Sequence, residues 1–420
     1  MIDKELTLKN YETAKSIFAL YGVDTDKAIE KFKKVPISLH NWQGDDVTGF
    51  EKSDAVSQNI VTGNYPGKAR NGKELRADID KAFSYSPTKP RVNIHSMYGE
   101  PGTTDRADVT TEDFREWIDW AKKNKYSMDF NVSFFTHPMM RDGFCIASPD
   151  KKTRDYWVKA GIGGRKIAND IGRELGEPCI NNIWVPDGLK DTPANRFSYR
   201  DYLMDSLDRM LETKYDKNNM RDTLEGKLFG IGIESFTVGS HEFYLGYAAK
   251  KGVGICMDTG HYHPTEFIVD KISAVRHFVD TVLLHISRGV RWDSDHVVLQ
   301  GDELSSIMNE VVRGELNCNG QFFIGLDYFD ASINRVAAWT IGLRAAGKAL
   351  LSAFCEPYEI LKKAEEDEDY TLRLALTDEL KNLPFNAVWD YACLQQGKPV
   401  GTEWVQDIKK YEQDVMLLRK

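Results

Sequence analysis

Hydrophobic positions along the chain fall into eight short runs, each apolar, often β-branched, and ending at or near a polar or charged residue. The runs are residues 35–40, 91–95, 127–132, 179–185, 228–234, 254–258, 282–287 and 322–327. Apolar runs of this length are typical of buried strands in a parallel sheet, although such a run alone does not exclude a helix. The pattern therefore predicts eight strands.

Segments with helical spacing of apolar residues lie between these runs, at 111–121, 156–175, 199–213, 268–282 and 303–313. A strand followed by a helix, repeated eight times, predicts an α/β fold of the (β/α)8 TIM barrel type, with a doubly wound open sheet as the alternative. Polar residues collect where the strands end, and barrel enzymes carry their chemistry at that face, so the barrel is favoured.

The pattern changes from about residue 331, where helices are predicted at 337–354, 358–382 and 403–418 with no strand among them. We therefore divide the chain into a barrel domain, 1–330, which begins with one helix over the first 30 or so residues, and a C-terminal helical extension, 331–420. The extension either caps its own barrel or wraps a neighbouring subunit, and the pattern alone leaves both open.

Charge and cysteine usage exclude several classes of protein. The 55 basic and 64 acidic residues give a net charge of −9 without a long basic run, so no nucleic-acid partner is expected. No apolar stretch reaches the roughly 18 residues of a membrane-spanning helix. The charged N-terminus lacks the apolar centre of a signal peptide, so we expect a cytoplasmic protein that makes no membrane contact. The six cysteines form no C-x-x-C pair and are expected to be reduced core thiols.

Acidic residues and histidines follow the last four predicted strands, where a barrel would bring them to one rim. They are Glu234, Asp258, His261, His285, Asp293, Asp295 and Asp327. Carboxylates held close together repel one another unless a cation compensates them, and oxygen ligands with a minority of imidazole suit Mn²⁺, Mg²⁺ or Co²⁺. No obvious thiolate joins the set, which argues against structural zinc. Each residue alone also fits a helix cap or a buried core histidine.

This pattern resembles the two-metal aldose–ketose isomerases of the xylose-isomerase type. Six longer runs resemble bacterial L-rhamnose isomerases specifically, and the resemblance spans essentially the whole chain. The runs are residues 40–47, 63–70, 182–188, 260–266, 290–297 and 325–334.

The resemblance implies a homotetrameric (β/α)8 enzyme of rhamnose catabolism that interconverts L-rhamnose and L-rhamnulose with Mn²⁺. It implies two divalent metal sites per subunit, with Mg²⁺, Co²⁺ or Zn²⁺ accepted at one of them. The first site would be held by Glu234, Asp258, His285 and Asp327. The second, catalytic site would be held by His261, Asp293 and Asp295 with Asp327 bridging, and catalysis would fall to Asp327, Asp295 and His261. The tetramer tips the helical extension toward an oligomerisation role.

One departure from the xylose enzymes is expected. Those enzymes follow the strand-five glutamate with proline and a lysine that polarises the sugar carbonyl. Here Glu234 is followed by Ser235 and Phe236, so no lysine is expected at that place. The ligand pattern favours a metal-assisted hydride shift over proton transfer through an enediol, which stays open as the alternative.

Substrate-binding residues are predicted beside the motif runs. We expect Trp42, Trp184 and Phe329 to stack on the sugar, although aromatic residues beside barrel strands are often core residues. His40 and His95 would bond the substrate or help open its ring, or serve structural roles instead. Lys190 and Asp330 would bond hydroxyl groups. The rival functions are an isomerase or epimerase for a different hexose and, on the same barrel, a metal-dependent hydrolase.

Overall fold

Eight parallel strands close into a barrel in the computed structural model, which describes residues 3–51, 63–229, 235–290, 293–314 and 322–419. The strands are β1 (Pro36–His40), β2 (Lys89–His95), β3 (Ser127–Asn131), β4 (Cys179–Trp184), β5 (Met220–Glu225), β6 (Gly254–Asp258), β7 (Val282–Ile286) and β8 (Phe322–Leu326). Strand β1 pairs in parallel with both β2 and β8, which closes the sheet. The predicted (β/α)8 barrel is confirmed, and the open sheet is excluded.

Helices surround the barrel and continue beyond its last strand. They are α1 (Lys4–Leu20), α2 (Thr25–Phe32), α3 (Gly72–Phe83), α4 (Arg115–Asn124), α5 (Lys151–Leu175), α6 (Arg196–Met210), α7 (His241–Lys251), α8 (Val269–Arg276), α9 (Asp302–Arg313), α10 (Arg335–Phe354), α11 (Tyr358–Glu366), α12 (Tyr370–Glu379), α13 (Phe385–Gln395) and α14 (Trp404–Asp414). Local signals set their ends: Asp150 caps the first turn of α5, and Gly176 ends that helix at φ +73°. Within the described residues, no helix is long and apolar enough to span a bilayer.

The prediction for the fifth strand is wrong. The fifth barrel strand is Met220–Glu225, not 228–234; Leu228 is 40 % exposed, and 230–234 lie outside the described residues. The pattern missed this strand because it is largely polar. Its polar side chains have partners instead: Asp222 accepts from Arg165 at 2.9 Å, and Thr223 donates to Asn182 at 2.9 Å.

The two ends of the chain are more divided than expected. The N-terminal segment forms two helices rather than one, and the predicted helix 358–382 breaks into α11, α12 and a short 3₁₀ turn. Helix α13 was not predicted. The predicted boundary at 330 falls just before α10, whose apolar face is buried in its own subunit against α2, α3, α9 and β1.

A buried ion pair joins four strands inside the barrel. Both Asp129 oxygens accept from Arg91, at 2.8 and 2.6 Å, and the two side chains are at most 3 % exposed. The same carboxylate accepts from Ser38 at 2.7 Å and from the backbone N–H of Ile180 at 2.9 Å. Strands β1 to β4 are therefore tied together by one charged group, and removing one partner leaves the other charge buried and uncompensated.

We expect Asp129→Ala to lower the free energy of unfolding by about 3–5 kcal/mol, because Arg91 then stays charged and buried. Guanidinium denaturation followed by tryptophan fluorescence measures the loss. The control is Asp367→Ala, which removes an exposed pair with Lys363 and should cost less than about 1 kcal/mol. Equal losses in the two variants would show that the buried pair does not stabilise the barrel.

Candidate active site

Four consecutive strands bring one ligand-bearing side chain each to the C-terminal end of the barrel. Glu225 and Asp258 end β5 and β6, His285 is the penultimate residue of β7, and Asp327 follows β8. All four side chains are buried, and their ligand atoms lie within 4.8 Å of one another. Three of these four residues were predicted as the first metal site, and Glu225 stands where the sequence pointed to Glu234.

Glu225 is the centre of this cluster. Its Oε1 lies 2.9 Å from Nδ1 of His261, and its Oε2 lies 3.1 Å from Nδ1 of His285. The same His285 nitrogen is 3.1 Å from Oδ2 of Asp327, and Nε2 of His261 is 3.9 Å from Asp258. Asn182 of β4 donates a further hydrogen bond to Glu225.

Burial and mutual repulsion dominate the electrostatics of the cluster. The pKa of Asp258 is raised to about 7 and that of Asp327 to about 6. Burial is the largest cause of both shifts and the charge of Glu225 adds to them, whereas His285 opposes both and His261 opposes that of Asp258. Burial opposes ionisation of Glu225 too, but the neighbouring charges of His285 and His261 hold its pKa well below the ordinary value. Burial lowers the pKa of His285, but Cys256, Glu225 and Asp327 raise it well above the ordinary value. A proton on His285 thus stands in for part of the positive charge that the carboxylates require.

The donor set fits a divalent ion. Within the described residues, four buried atoms of this cluster have no hydrogen bond of suitable geometry. They are Nδ1 and Nε2 of His285, Nδ1 of His261 and Oδ1 of Asp327. All of them except Nε2 of His285 nevertheless lie close to a partner of opposite charge. Carboxylate oxygens with imidazole nitrogens are ligands that Mn²⁺ and similar ions accept. Cys256 also groups with Glu225 and His285 within 4.8 Å, but burial raises the pKa of its thiol well above the ordinary value, which favours the protonated thiol over a thiolate ligand.

A cavity opens above the cluster, with about 510 Å³ of empty space that includes the solvent at its mouth. The apolar part of its lining is mostly aromatic, and its polar part includes ligands of both predicted metal sites. The lining residues are Trp42, His95, Asn131, Val132, Phe135, Asn182, Trp184, Glu225, Lys227, His261, Asp295, Asp327 and Phe329. A concave apolar pocket with a few polar groups is the usual form of a small-molecule site.

The structure brings some predicted residues to this cavity and leaves others away from it. Trp42, His95, Trp184 and Phe329 line it, and Trp42 stacks on His95 with ring centroids 3.9 Å apart. His40 lies behind this wall, with Nδ1 3.4 Å from Oδ1 of Asp327.

Lys190 and Asp330 are not among the lining residues. The Asp330 carboxylate accepts hydrogen bonds from the backbone and hydroxyl of Ser332, and its backbone pairs with Gln43. Asp330 therefore shapes the turn after β8.

The predicted second metal site is only partly within the described structure. His261 and Asp295 both line the cavity, and the charge of Asp295 contributes to the raised pKa of Asp327. Asp293 begins the short strand Asp293–His296, but its side chain lies outside the described residues, as does Glu234.

Sequence reasoning missed Lys227. This residue is 7 % exposed, lines the cavity and places its ammonium 5.8 Å from the ring centre of Trp184. It follows Glu225 by two positions, in Glu225-Gly226-Lys227, which is the spacing of the strand-five glutamate and lysine in the xylose enzymes. The expected absence of that lysine is therefore wrong, and it followed directly from assigning the fifth strand to the wrong run.

Three hydrogen bonds hold the loops around the cavity. The Asp187 carboxylate accepts from the backbone N–H of Cys145 at 2.9 Å, and its own carbonyl accepts from Val238 at 3.0 Å. Arg106 donates to the carbonyl oxygen of Phe135 at 2.5 Å. The loops that follow β3, β4 and β5 are thereby tied together around the cavity.

The family model for L-rhamnose isomerase (RhaA) matches residues 6–419. A protein named L-rhamnose isomerase from Rhodopirellula baltica is 51% identical over 414 residues, covering 98% of this chain and 96% of its own. Proteins of the same name from Listeria monocytogenes and Pectobacterium carotovorum are each 47% identical and cover 98% of both chains.

Among solved structures, an L-ribulose 3-epimerase aligns with TM-score 0.50 at 12% identity, over 76% of this chain and 95% of that one. This likeness concerns the barrel fold alone. The family match and the curated relatives extend over nearly the entire sequence, and the chain belongs to the L-rhamnose isomerase family of enzymes.

Proposed function

We propose that this chain interconverts L-rhamnose and L-rhamnulose in rhamnose catabolism, using divalent metal ions at the C-terminal end of its barrel. The observation that carries the proposal is the buried cluster of Glu225, Asp258, His285 and Asp327, which opens into a cavity lined by aromatic rings and one lysine. Family membership supports the choice of sugar.

The first metal would be held by Glu225, Asp258, His285 and Asp327, and the second by His261, Asp293 and Asp295 with Asp327 bridging. The mixture of carboxylates and imidazoles supports Mn²⁺, with Mg²⁺, Co²⁺ or Zn²⁺ as alternatives at one site. When bound, such an ion acts as a Lewis acid that orients the substrate oxygens and stabilises negative charge on them.

The chain's own groups would orient the sugar and handle its protons. Lys227 is the one lysine or arginine that lines the cavity within the described residues, so its ammonium is placed to donate to the sugar carbonyl oxygen. Trp42, Trp184 and Phe329 cover the apolar faces of the sugar and exclude water. Asp327, with Asp295 and His261 beside it, would hold the hydroxyl proton that moves during the reaction.

The rival functions differ in what they need from the cavity. A hydrolase of phosphate esters would need several cationic side chains around the phosphate. Within the described residues, Lys227 is the single lysine or arginine that lines the cavity, and Lys190 is not part of the lining. An isomerase or epimerase for another hexose would keep the metal cluster and change only the walls. An assay over several sugars separates that alternative from the proposal.

We also propose a cytoplasmic homotetramer. The five cysteines in the described part of the chain are unpaired and buried, which suits a reducing compartment. Helix α12 has no buried residue, and its Tyr370, Leu372 and Leu374 are 56, 46 and 69 % exposed. Such an apolar surface is typical of a subunit interface.

Metal removal tests the proposed reaction. Dialysis against a chelator should abolish conversion of L-rhamnose to L-rhamnulose, and added Mn²⁺ should restore it, because the carboxylates need a cation to hold the sugar oxygens. Glu225→Gln should bind Mn²⁺ at least tenfold more weakly in equilibrium dialysis and should not recover activity at limiting Mn²⁺.

The matched control is Glu112→Gln, which alters an exposed side chain that does not line the cavity and should bind Mn²⁺ like the unaltered protein. The same assay is run with a panel of other aldoses and ketoses. Faster conversion of another sugar would replace L-rhamnose as the substrate, and full activity after complete metal removal would contradict the proposed chemistry.

Lys227→Met should lower kcat by about 10²–10³ with a smaller change in KM, because the donor acts on charge that develops during the reaction. Lys190→Met is the comparison, since the sequence pointed to Lys190 and the structure places Lys227 at the cavity. Steady-state kinetics at saturating Mn²⁺ measure both. A large loss in Lys190→Met with Lys227→Met unaffected would reverse the assignment.

Light scattering should give four times the chain mass of 47.8 kDa at micromolar concentration. The double variant Leu372→Glu, Leu374→Glu should dissociate into smaller species, since it places charges on the exposed face of α12. The C-terminus is kept intact because Arg419 pairs with buried Asp78 at 2.6 Å. A monomer in the unaltered protein would exclude the tetramer, and an intact tetramer in the variant would move the interface away from α12.

A further inference from the structure

A row of four hydrogen-bonding side chains runs along one wall of the cavity, formed in order by Asn131, Asn93, His40 and His95. Nδ2 of Asn93 lies 3.3 Å from Oδ1 of Asn131 and 3.3 Å from Nε2 of His40. Nδ1 of His40 then lies 3.2 Å from Nε2 of His95. All four residues are buried, and they join β1, β2 and β3 at the ends nearest the cavity.

The Asn93 amide determines where the hydrogen of His40 must lie. An amide NH₂ group has two hydrogens and no acceptor capacity, so it donates one hydrogen to Asn131 and the other to His40. Nε2 of His40 must therefore offer its lone pair. A neutral imidazole carries one hydrogen, which places it on Nδ1 of His40.

The hydrogen on Nδ1 of His40 determines the tautomer of His95 in turn. Only one hydrogen fits between two ring nitrogens 3.2 Å apart, and His40 supplies it, so Nε2 of His95 must accept. The hydrogen of His95 then lies on Nδ1. Asp327 supports the same arrangement, because its Oδ1 lies 3.4 Å from Nδ1 of His40 and can only accept when ionised.

His95 is the last residue of this row and lines the cavity. Its ring stacks on Trp42, and its Nδ1 is buried without a partner among the described residues. A buried N–H without an acceptor costs free energy unless something that binds there satisfies it.

We propose that Asn93 is a positioning residue that fixes the tautomers of His40 and His95, so that His95 offers Nδ1–H to an acceptor oxygen of the bound sugar. The identity of that ligand rests on the proposed function, but the tautomers do not. His95 is thereby a hydrogen-bond donor to the substrate, which is one of the roles that the sequence left open.

Neutron diffraction from the perdeuterated, metal-free full-length protein near pH 7.5 tests the tautomers directly. We expect deuterium on Nδ1 of both His40 and His95, with Nε2 of both rings bare and the Asn93 amide nitrogen facing His40. Deuterium on Nε2 of either ring would overturn the proposal. The experiment involves no turnover, so its result is separate from whether the metal-loaded protein isomerises L-rhamnose.

Two variants of similar volume test whether Asn93 exerts this control. In Asn93→Asp the carboxylate can only accept, so solid-state NMR of ¹⁵N-histidine protein should show a hydrogen on Nε2 of His40. In Asn93→Leu Nε2 of His40 loses its donor, so the hydrogen should no longer be confined to Nδ1. A hydrogen that stays wholly on Nδ1 in this variant would show that Asp327, and not Asn93, sets the tautomer. A bare Nε2 in Asn93→Asp would show that residue 93 does not set the tautomer, and if neither variant folds, the neutron result decides.

The sugar contact is tested with L-rhamnitol, an alditol that cannot be isomerised. Saturating L-rhamnitol and Mg²⁺ should shift the Nδ1 signal of His95, assigned by its loss in His95→Gln, while the Nε2 signal keeps its lone-pair position. An unmoved Nδ1 signal in the saturated protein would overturn the proposed contact. If the hydrogens lie on Nδ1 of His40 and His95 but the unaltered, metal-loaded protein does not isomerise L-rhamnose, the proposed function is wrong and the tautomer assignment stands.

Discussion

The constraint on which this structure depends is the compensation of negative charge at the C-terminal end of the barrel. Glu225 stays ionised because His261 and His285 lie 2.9 and 3.1 Å from its oxygens, while burial drives the pKa of Asp258 and Asp327 upward. The strand register fixes these distances, since Asp258 lies opposite His285 in the sheet and His285 lies opposite Gly325. A slip of one residue would turn these side chains to the other face of the sheet. The barrel thus holds together groups that would repel one another in free solution.

The same principle operates deeper in the barrel. The Asp129 carboxylate pairs with Arg91 and accepts hydrogen bonds from Ser38 and the backbone of Ile180, so four strands share one ion pair. Fully satisfied polar networks are rigid, because each group loses a partner if another moves. Around the cavity, Asp187 and Arg106 fasten the loops by hydrogen bonds to backbone groups. One aromatic residue of the cavity wall, Phe135, is thereby held through its backbone carbonyl.

The sequence predicted seven of the eight strands and the residues Asp258, His261, His285 and Asp327, because apolar strands that end in polar residues stand out. It failed at Met220–Glu225, where the strand is polar and each polar group finds its partner only in the folded barrel. A neighbouring run with more apolar residues was chosen instead, and Glu225 and Lys227 were missed together. Lys190 and Asp330 were chosen by their nearness to motifs along the chain, which does not determine nearness in space. The contact of Asn93 with His40 joins two strands 53 residues apart and leaves no local signal.

Asp327 connects the two polar systems of the active site. One of its oxygens lies 3.1 Å from His285 in the carboxylate and histidine cluster. The other lies 3.4 Å from His40 in the row of hydrogen-bonding side chains that ends at His95. A cation that holds Asp327 ionised and fixed in position would also fix the acceptor that faces His40. The carboxylate and histidine cluster and the hydrogen-bonding wall of the cavity are therefore coupled, because a single carboxylate belongs to both. A change that moves this carboxylate would alter the charge of the cluster and, in the arrangement proposed for His40 and His95, the donor that His95 offers.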